Sequence, residues 1–331
     1  MEQFANVAGG QTVALQLAEL TRGYRSTAMA GPPGPLAEEA AKRSIAYITL
    51  NPKRVFTGAT KLRRHLSPNA VLLVNGPRAA PLALAVKSLA PRTRLWYYVH
   101  GRPGTGLARV AARILSQLCD RTICVAAAVC TASAAQVIHN CARPEICIDP
   151  ATVDEALDGP GAPVRIKFLG RNDPIKGLDV LLEALPRMQA RQPFSVEIAV
   201  GESLSGRPAR NFSSHDLRVE LVGPRDASWI SPGDIVCVPS RFEASPLVVH
   251  ESMARGACVV ASRVGGIPEL LQEGVTGYLS DPDPASLAKA LDRAVDAAAE
   301  RAKICRRARK DADARAHAWE AFWRQALAAS C

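Results

Sequence analysis

One stretch constrains this chain more than any other: Ser240-Arg-Phe-Glu-Ala-Ser-Pro-Leu-Val-Val-His-Glu-Ser-Met-Ala-Arg-Gly256. It follows the apolar run Ile235-Val-Cys-Val238 and reads as a loop entering a helix. Ser245 suits an N-cap, and Pro246 suits the first helical position, where its missing N–H costs nothing. The Leu247 and Val248 amides would then point out of the helix end unpaired, with the positive end of the macrodipole behind them, which makes a phosphate site. Glu243 lies just before this helix and Glu251 inside it. Leu247, Val248, Val249, Met253 and Ala254 make the helix apolar almost all round, so a carboxylate at 251 is costly unless something pairs with it. The hydroxyls of a sugar or a ribose would do so. The plainer alternative is a surface Glu at a gap in the apolar face.

A second anion site is legible upstream. Val164-Arg-Ile-Lys-Phe-Leu-Gly170 reads as a strand, followed by Arg171-Asn-Asp-Pro-Ile-Lys176-Gly177 and a helix from about Pro174, with Asp173 as its cap. Arg171 at the strand end and Lys176 in the first turn could converge on one anion, the Arg as a fork and the Lys as a point charge. Near the N-terminus, Gly9-Gly10 precedes a helical stretch, and two glycines at a helix entrance let a backbone approach a phosphate closely. Such pairs are also common in turns.

The rest of the chain alternates strands and helices. Ala46–Leu50, Ala70–Val74, Arg94–His100 and Asp120–Val125 read as buried strands in the first half, and 195–200, 219–222 and 235–238 in the second. Alternation of this kind predicts parallel sheets with crossover helices, whose ligands sit at the carboxyl ends of the strands. His100 stands at one such end. A chain of 331 residues suits two domains. The Asp-Gly-Pro-Gly-Ala-Pro composition of Asp149–Pro163 marks the linker, giving domains at 1–155 and 156–331.

The Glu, seven residues, Glu spacing after a strand ending in Pro-Ser resembles the signature of the retaining GT-B glycosyltransferases of glycosyltransferase family 4. Gly170-Arg171 followed by Lys176-Gly177 is similar to that family's diphosphate clamp, and Val137-Ile-His-Asn140 to its Val-Ile-Pro-Asn-Gly. Where the family has Gly-Phe-Gly after the first Glu, this chain has Ala244-Ser245-Pro246. The resemblance implies an α/β protein of GT-B class: two Rossmann-like domains with parallel sheets facing across a cleft, the last helix crossing back to the N-domain. It implies retaining transfer of a hexose from a nucleotide-diphosphate sugar to an acceptor hydroxyl. Arg171, Lys176, Glu243 and His100 would serve the reaction. Gly9, Gly10, Gly170, Ser245, Pro246, Leu247, Val248 and Glu251 would hold the donor, with Glu243 on the sugar and Glu251 on the ribose. The family's loop near the base corresponds to Gly223-Pro224. No cofactor and no metal are expected. The family's first strand ends at the Gly-Gly loop, and Met1–Val7 holds no β-like run, so that strand is expected to be missing.

Charge adds a partner. Residues 1–150 carry 18 Lys and Arg against 7 Asp and Glu, the remainder 23 against 24. No acid lies between Glu39 and Asp120, whereas Lys42, Arg43, Lys53, Arg54, Lys61, Arg63 and Arg64 crowd the first part. A membrane surface, a nucleic acid or an anionic acceptor would each suit this asymmetry. With the resemblance, the expected acceptor is a glycan or a lipid-linked group in surface polysaccharide or glycolipid synthesis. Peripheral contact with an anionic membrane is expected with it, and no nucleic acid. The first residues have no basic flank or apolar core, and Ile123–Ile138 is too short to span a bilayer, so a cytoplasmic protein, at the inner face of the membrane, is expected. The nine cysteines follow no zinc spacing and read as reduced thiols. Two other readings stand beside transfer: a GT-B isomerase or phosphorylase-like enzyme, and a degenerate GT-B protein acting as a basic binding module.

Overall fold

The computed structural model describes residues 9–22, 26–51, 54–102, 106–130, 132, 134–159, 163–201, 218–222 and 225–329. The proposed missing strand at residues 1–7, Lys53 and the Gly223-Pro224 loop lie outside them. The chain divides into two compact units: residues 1–139 with 318–331, and residues 140–317.

The second unit is built on one six-stranded parallel sheet. Its strands are β7 (Val164–Arg171), β8 (Phe194–Gly201), β9 (Arg218–Val222), β10 (Ile235–Val238), β11 (Cys258–Ser262) and β12 (Tyr278–Ser280). They lie in the order β12-β11-β10-β7-β8-β9. Counting strands within this unit, the order is the doubly wound one, reversing direction between β7 and β10. Both faces of the sheet are covered, which is why its strands read as unbroken apolar runs. Ile166, Phe168, Val196 and Ile198 pack with α7 (Leu178–Ala184) and α10 (Pro284–Asp296) in one layer. Val236, Val238, Val259 and Ala261 pack with α8 (Leu247–Ala254) in the other. One buried cation interrupts the core: Lys167 Nζ lies 2.9 Å from Asp234 Oδ2 and donates to the Trp229 carbonyl at 2.8 Å.

Two expectations change here. The stretch Asp149–Pro163 is not an open linker, because Pro150–Asp158 forms α6, with the Asp149 carboxylate capping the Ala151 amide at 2.8 Å. Buried Val153 and the Arg309 guanidinium on the Ile148 carbonyl at 2.8 Å tie this segment into the second unit, so the division falls between His139 and Asn140. Lys176 is not in an α-helical first turn. Pro174–Lys176 is a 3-10 turn capped by Asp173, and α7 starts only after Gly177, whose φ is +68°.

The first unit holds two parallel sheets. One pairs β1 (Ala28–Gly31) with β2 (Ala46–Thr49). The other runs β3 (Val71–Asn75), β4 (Arg94–Val99), β5 (Arg121–Cys124), β6 (Gln136–Val137). The apolar run of β4 is buried from Leu95 to Val99. Around β1, α1 (Gly9–Arg22) and α2 (Pro35–Lys42) close a small core of Leu15, Ala18, Met29, Leu36 and Ile45. The final helix, α11 (Ala298–Ala328), starts in the second unit and ends in the first. There Trp323 is fully buried, edge-on to Tyr98 with ring centroids 5.1 Å apart. No helix among the described residues is long and apolar enough to cross a membrane. The eight described cysteines are free thiols.

Candidate active site

The strand order of the second unit directs attention to the carboxyl ends of β7 and β10, where ligands of doubly wound sheets bind. Both motifs singled out in the sequence sit there. Gly170 and Arg171 end β7, and the Ser240–Pro246 loop follows β10. The two loops are tied together. The Arg241 amide donates to the Ile175 carbonyl at 2.8 Å, and its guanidinium grips Asp179 through two bonds of 2.8 and 2.6 Å. Gly177 lets them meet, since a Cβ there would lie 1.9 Å from the Pro239 carbonyl oxygen.

This closure pairs the two motifs. Lys176 Nζ lies 2.5 Å from Glu243 Oε1, which also accepts from the Ser240 hydroxyl at 3.0 Å. Behind Glu243, the Gly266 amide donates to its carbonyl at 2.9 Å, and Gly265, at φ +54°, leaves no room for a Cβ, which would lie 1.8 Å from that oxygen. Arg171 remains exposed beside Asp173 at 3.6 Å rather than joining Lys176. A cation and a carboxylate therefore share one corner, with a second cation at its edge.

At the start of α8 the expected cap changes identity. Pro246 is the N-cap, and Ser245 Oγ caps nothing. Instead Ser245 Oγ accepts from the Asn140 amide at 3.1 Å and lies 2.9 Å from His250 Nε2, while its carbonyl accepts from Asn140 Nδ2 at 2.8 Å. The local capping preference yields to a buried polar network that fixes the loop. The Leu247 and Val248 amides have no acceptor among the described residues, as a helix N-terminus leaves them. Pro246 holds the chain in the extended conformation that delivers them.

Glu251, only 6% exposed, is paired by protein: Arg143 Nε donates to its Oε1 at 2.7 Å. Burial pushes the Glu251 carboxyl above the usual range, and Arg143 opposes that shift. Asp226 stands near enough to both to act on them electrostatically. Arg143 comes from just beyond the Val137-Ile-His-Asn140 stretch, and nothing local in the sequence marks it as the partner of residue 251.

The first unit supplies its own cluster at the carboxyl ends of β3 and β4. Asn75 Nδ2 donates to the Gly10 carbonyl at 3.2 Å, and a Cβ on Gly10 would touch His100 Cγ at 3.4 Å. The His100 ring lies tilted against Tyr98 at 4.1 Å between centroids, and its Nε2 is buried without a partner among the described residues. Burial drives its pKa down to about 3, so the ring is neutral. Gly9, by contrast, would meet nothing if it carried a Cβ. Both glycines lie inside the first turn of α1 rather than in a loop before it. Among the described residues no cluster of His, Cys, Asp or Glu could hold a metal.

The fold has solved counterparts. HepE from Anabaena, determined in complex with UDP-glucose, superposes with a TM-score of 0.77 at 19% identity, covering 99% of this chain and 98% of that one. The fold is GT-B. Within this GT-B chain, residues 163–297 match the family model described as glycosyl transferases group 1. The D-inositol 3-phosphate glycosyltransferase of Corynebacterium efficiens is 35% identical over 153 residues, 41% of this chain and 36% of that protein. Its counterpart from Xylanimonas cellulosilytica is 37% identical over 177 residues, 50% of this chain and 40% of that protein. The matched stretches thus span less than half the length of these curated relatives.

Proposed function

We propose that this chain is a nucleotide-sugar-dependent glycosyltransferase of glycosyltransferase family 4, transferring a hexose to an acceptor hydroxyl with retention of configuration. The observation that carries the reading is the Lys176–Glu243 pair at the reversal point of the second unit's sheet, with Glu243 in the loop that leads into α8. As the glycosidic bond breaks, the leaving diphosphate gains negative charge. Lys176, Arg171 and the helix amides are groups that stabilise such charge without moving far. Glu243 offers a carboxylate to sugar hydroxyls, and Glu251 one to a ribose, its second oxygen being unengaged among the described residues. His100 is assigned to the reaction as a neutral ring rather than a charge. The donor's own phosphate would take the acceptor proton, so no protein nucleophile is assigned.

The names of the relatives support glycosyl transfer, and the UDP-glucose in HepE supports a nucleotide-sugar donor. The basic first half supports an acidic or lipid-linked acceptor for surface polysaccharide or glycolipid synthesis, met from the cytoplasmic side of a membrane. The test is release of nucleotide diphosphate from a panel of nucleotide sugars, followed by NMR of the product anomer. Release with the donor's anomeric configuration kept in the product is the expected result. Inverted product removes the retaining mechanism, and an isomerised or phosphorolysed donor points to the other GT-B chemistries. No reaction despite nucleotide binding leaves the binding module.

A further inference from the structure

We infer that the helical layer formed by α3 (Val55–Arg63), α4 (Ala80–Leu89) and α5 (Leu107–Leu118) is a docking face for an anionic lipid surface, with α5 as the element that enters it. These helices pack side by side, α3 on α4 and α4 on α5. Of the eight large apolar side chains exposed among the described residues, six lie on this layer: Phe56, Leu89, Leu107, Val110, Ile114 and Leu118.

The four on α5 are spaced three, four and four residues apart, so they form one line along the helix. Ala112 and Leu115 turn the other way and are fully buried. The apolar face of α5 is therefore wider than the protein uses: one edge packs inward, and the other, with Leu107 at 88% exposure, faces out. Phe56, at 82%, stands out in the same way at the start of α3. Scattered single exposures need no explanation, but a continuous line does.

Charge decides the occupant. Exposed Arg109 and Arg113 lie on α5 beside the apolar line, and exposed Arg54, Lys61, Arg63 and Arg64 lie along α3 and at its two ends. No Asp or Glu occurs from residue 40 to residue 119. A second copy of the chain docking by this face across a twofold would bring Arg109 and Arg113 against their own equivalents with no acid to answer them. An anionic headgroup layer answers the arginines while its acyl boundary takes the leucines, as amphipathic helices at membrane surfaces do. The inference names the surface for the membrane contact of the reading above. It is measured without donor or acceptor, so its failure leaves the transfer reading standing.

The experiment is co-sedimentation of the full chain with phosphatidylcholine vesicles, with and without phosphatidylglycerol, at low and high salt. Binding is expected only with phosphatidylglycerol, falling as salt rises. Val110→Asp/Ile114→Asp and Arg109→Glu/Arg113→Glu should each weaken it roughly tenfold or more, with the thermal midpoint unchanged because these side chains are exposed. Leu107→Trp should shift its emission to the blue on the same vesicles. Equal binding to neutral vesicles, full binding by the Asp variant, or an unshifted tryptophan would overturn the inference. So would a dimer in sedimentation that Val110→Asp/Ile114→Asp converts to monomer, since the line would then be covered by a second copy.

Discussion

Arg143 and Glu251 stand 108 residues apart in the chain and 2.7 Å apart in the fold, where they form an ion pair at the helix that most constrains the sequence. Glu251 is the carboxylate that an apolar helix has no reason to hold, and Arg143 opposes the upward push that burial gives its pKa. Neither residue explains itself alone.

Removing the guanidinium leaves a buried carboxylate without its cation. Arg143→Met should cost about 2–4 kcal/mol near neutral pH, the range of a broken, mostly buried pair. Because burial already raises the Glu251 carboxyl and loss of Arg143 raises it further, the deficit should shrink as the solution is acidified and the group protonates. Thermal midpoints of wild type and variant from neutral pH to mildly acid should converge. Arg143→Met/Glu251→Gln should recover most of the loss at neutral pH, and a deficit independent of pH would show that the pairing is not its source.

At the β7–β10 corner the effect should show in turnover as well as in stability. Lys176→Ala should lower transfer by roughly two orders of magnitude, as loss of a placed charge-stabiliser does. Its cost in stability should be comparable to that of Arg143→Met, about 2–4 kcal/mol, because the Lys176 and Glu243 side chains are nearly as buried as that pair. Steady-state release of nucleotide diphosphate beside a denaturation curve checks both halves.

The two glycines that hold the corner closed allow a cleaner steric test. Gly177→Ala and Gly265→Ala each place a methyl within 2 Å of a carbonyl oxygen at positive φ, whereas Gly274 has positive φ and open space. The first two should lose at least about 3 kcal/mol and Gly274→Ala about 1, since only the backbone preference is at stake there. Urea midpoints of the three variants should separate accordingly.

His100 predicts a pH dependence in the first unit. Its folded pKa, about 3, lies below the unfolded value, so the unfolded chain binds the proton first. The stability that the neutral ring confers is complete above about pH 6.5, and it is lost progressively as pH falls towards the folded value. Against His100→Asn, the wild-type advantage in thermal midpoint should diminish between those limits. A constant difference would mean that the ring is solvated.

Much of the fold was legible because parallel strands covered on both faces write themselves as apolar runs, and β4, β7 and β10 did so within a residue or two. The two carboxylates were legible because Glu251 is out of place in its helix and Glu243 stands just before it. What stayed hidden was tertiary. Ser245 has the composition of a cap, yet Asn140 and His250 claim its hydroxyl. Asp149–Pro163 has the composition of a linker, yet Val153 has a core to enter. Arg143 and Arg241 had no periodicity to betray them, since their partners are set by loops that meet only in the folded chain.

The central claim, that the second unit holds a nucleotide diphosphate between Lys176 and Glu251, is tested most directly by thermal shift. Wild type, Lys176→Ala and Glu251→Gln would be titrated with UDP, GDP, ADP, CDP and dTDP. Bound ligand raises stability by mass action, about 2.7 kcal/mol at a hundredfold excess over Kd. The account predicts a concentration-dependent rise for at least one nucleotide in wild type, strongly reduced in both variants. No rise with any of them, or an equal rise in all three proteins, would contradict it.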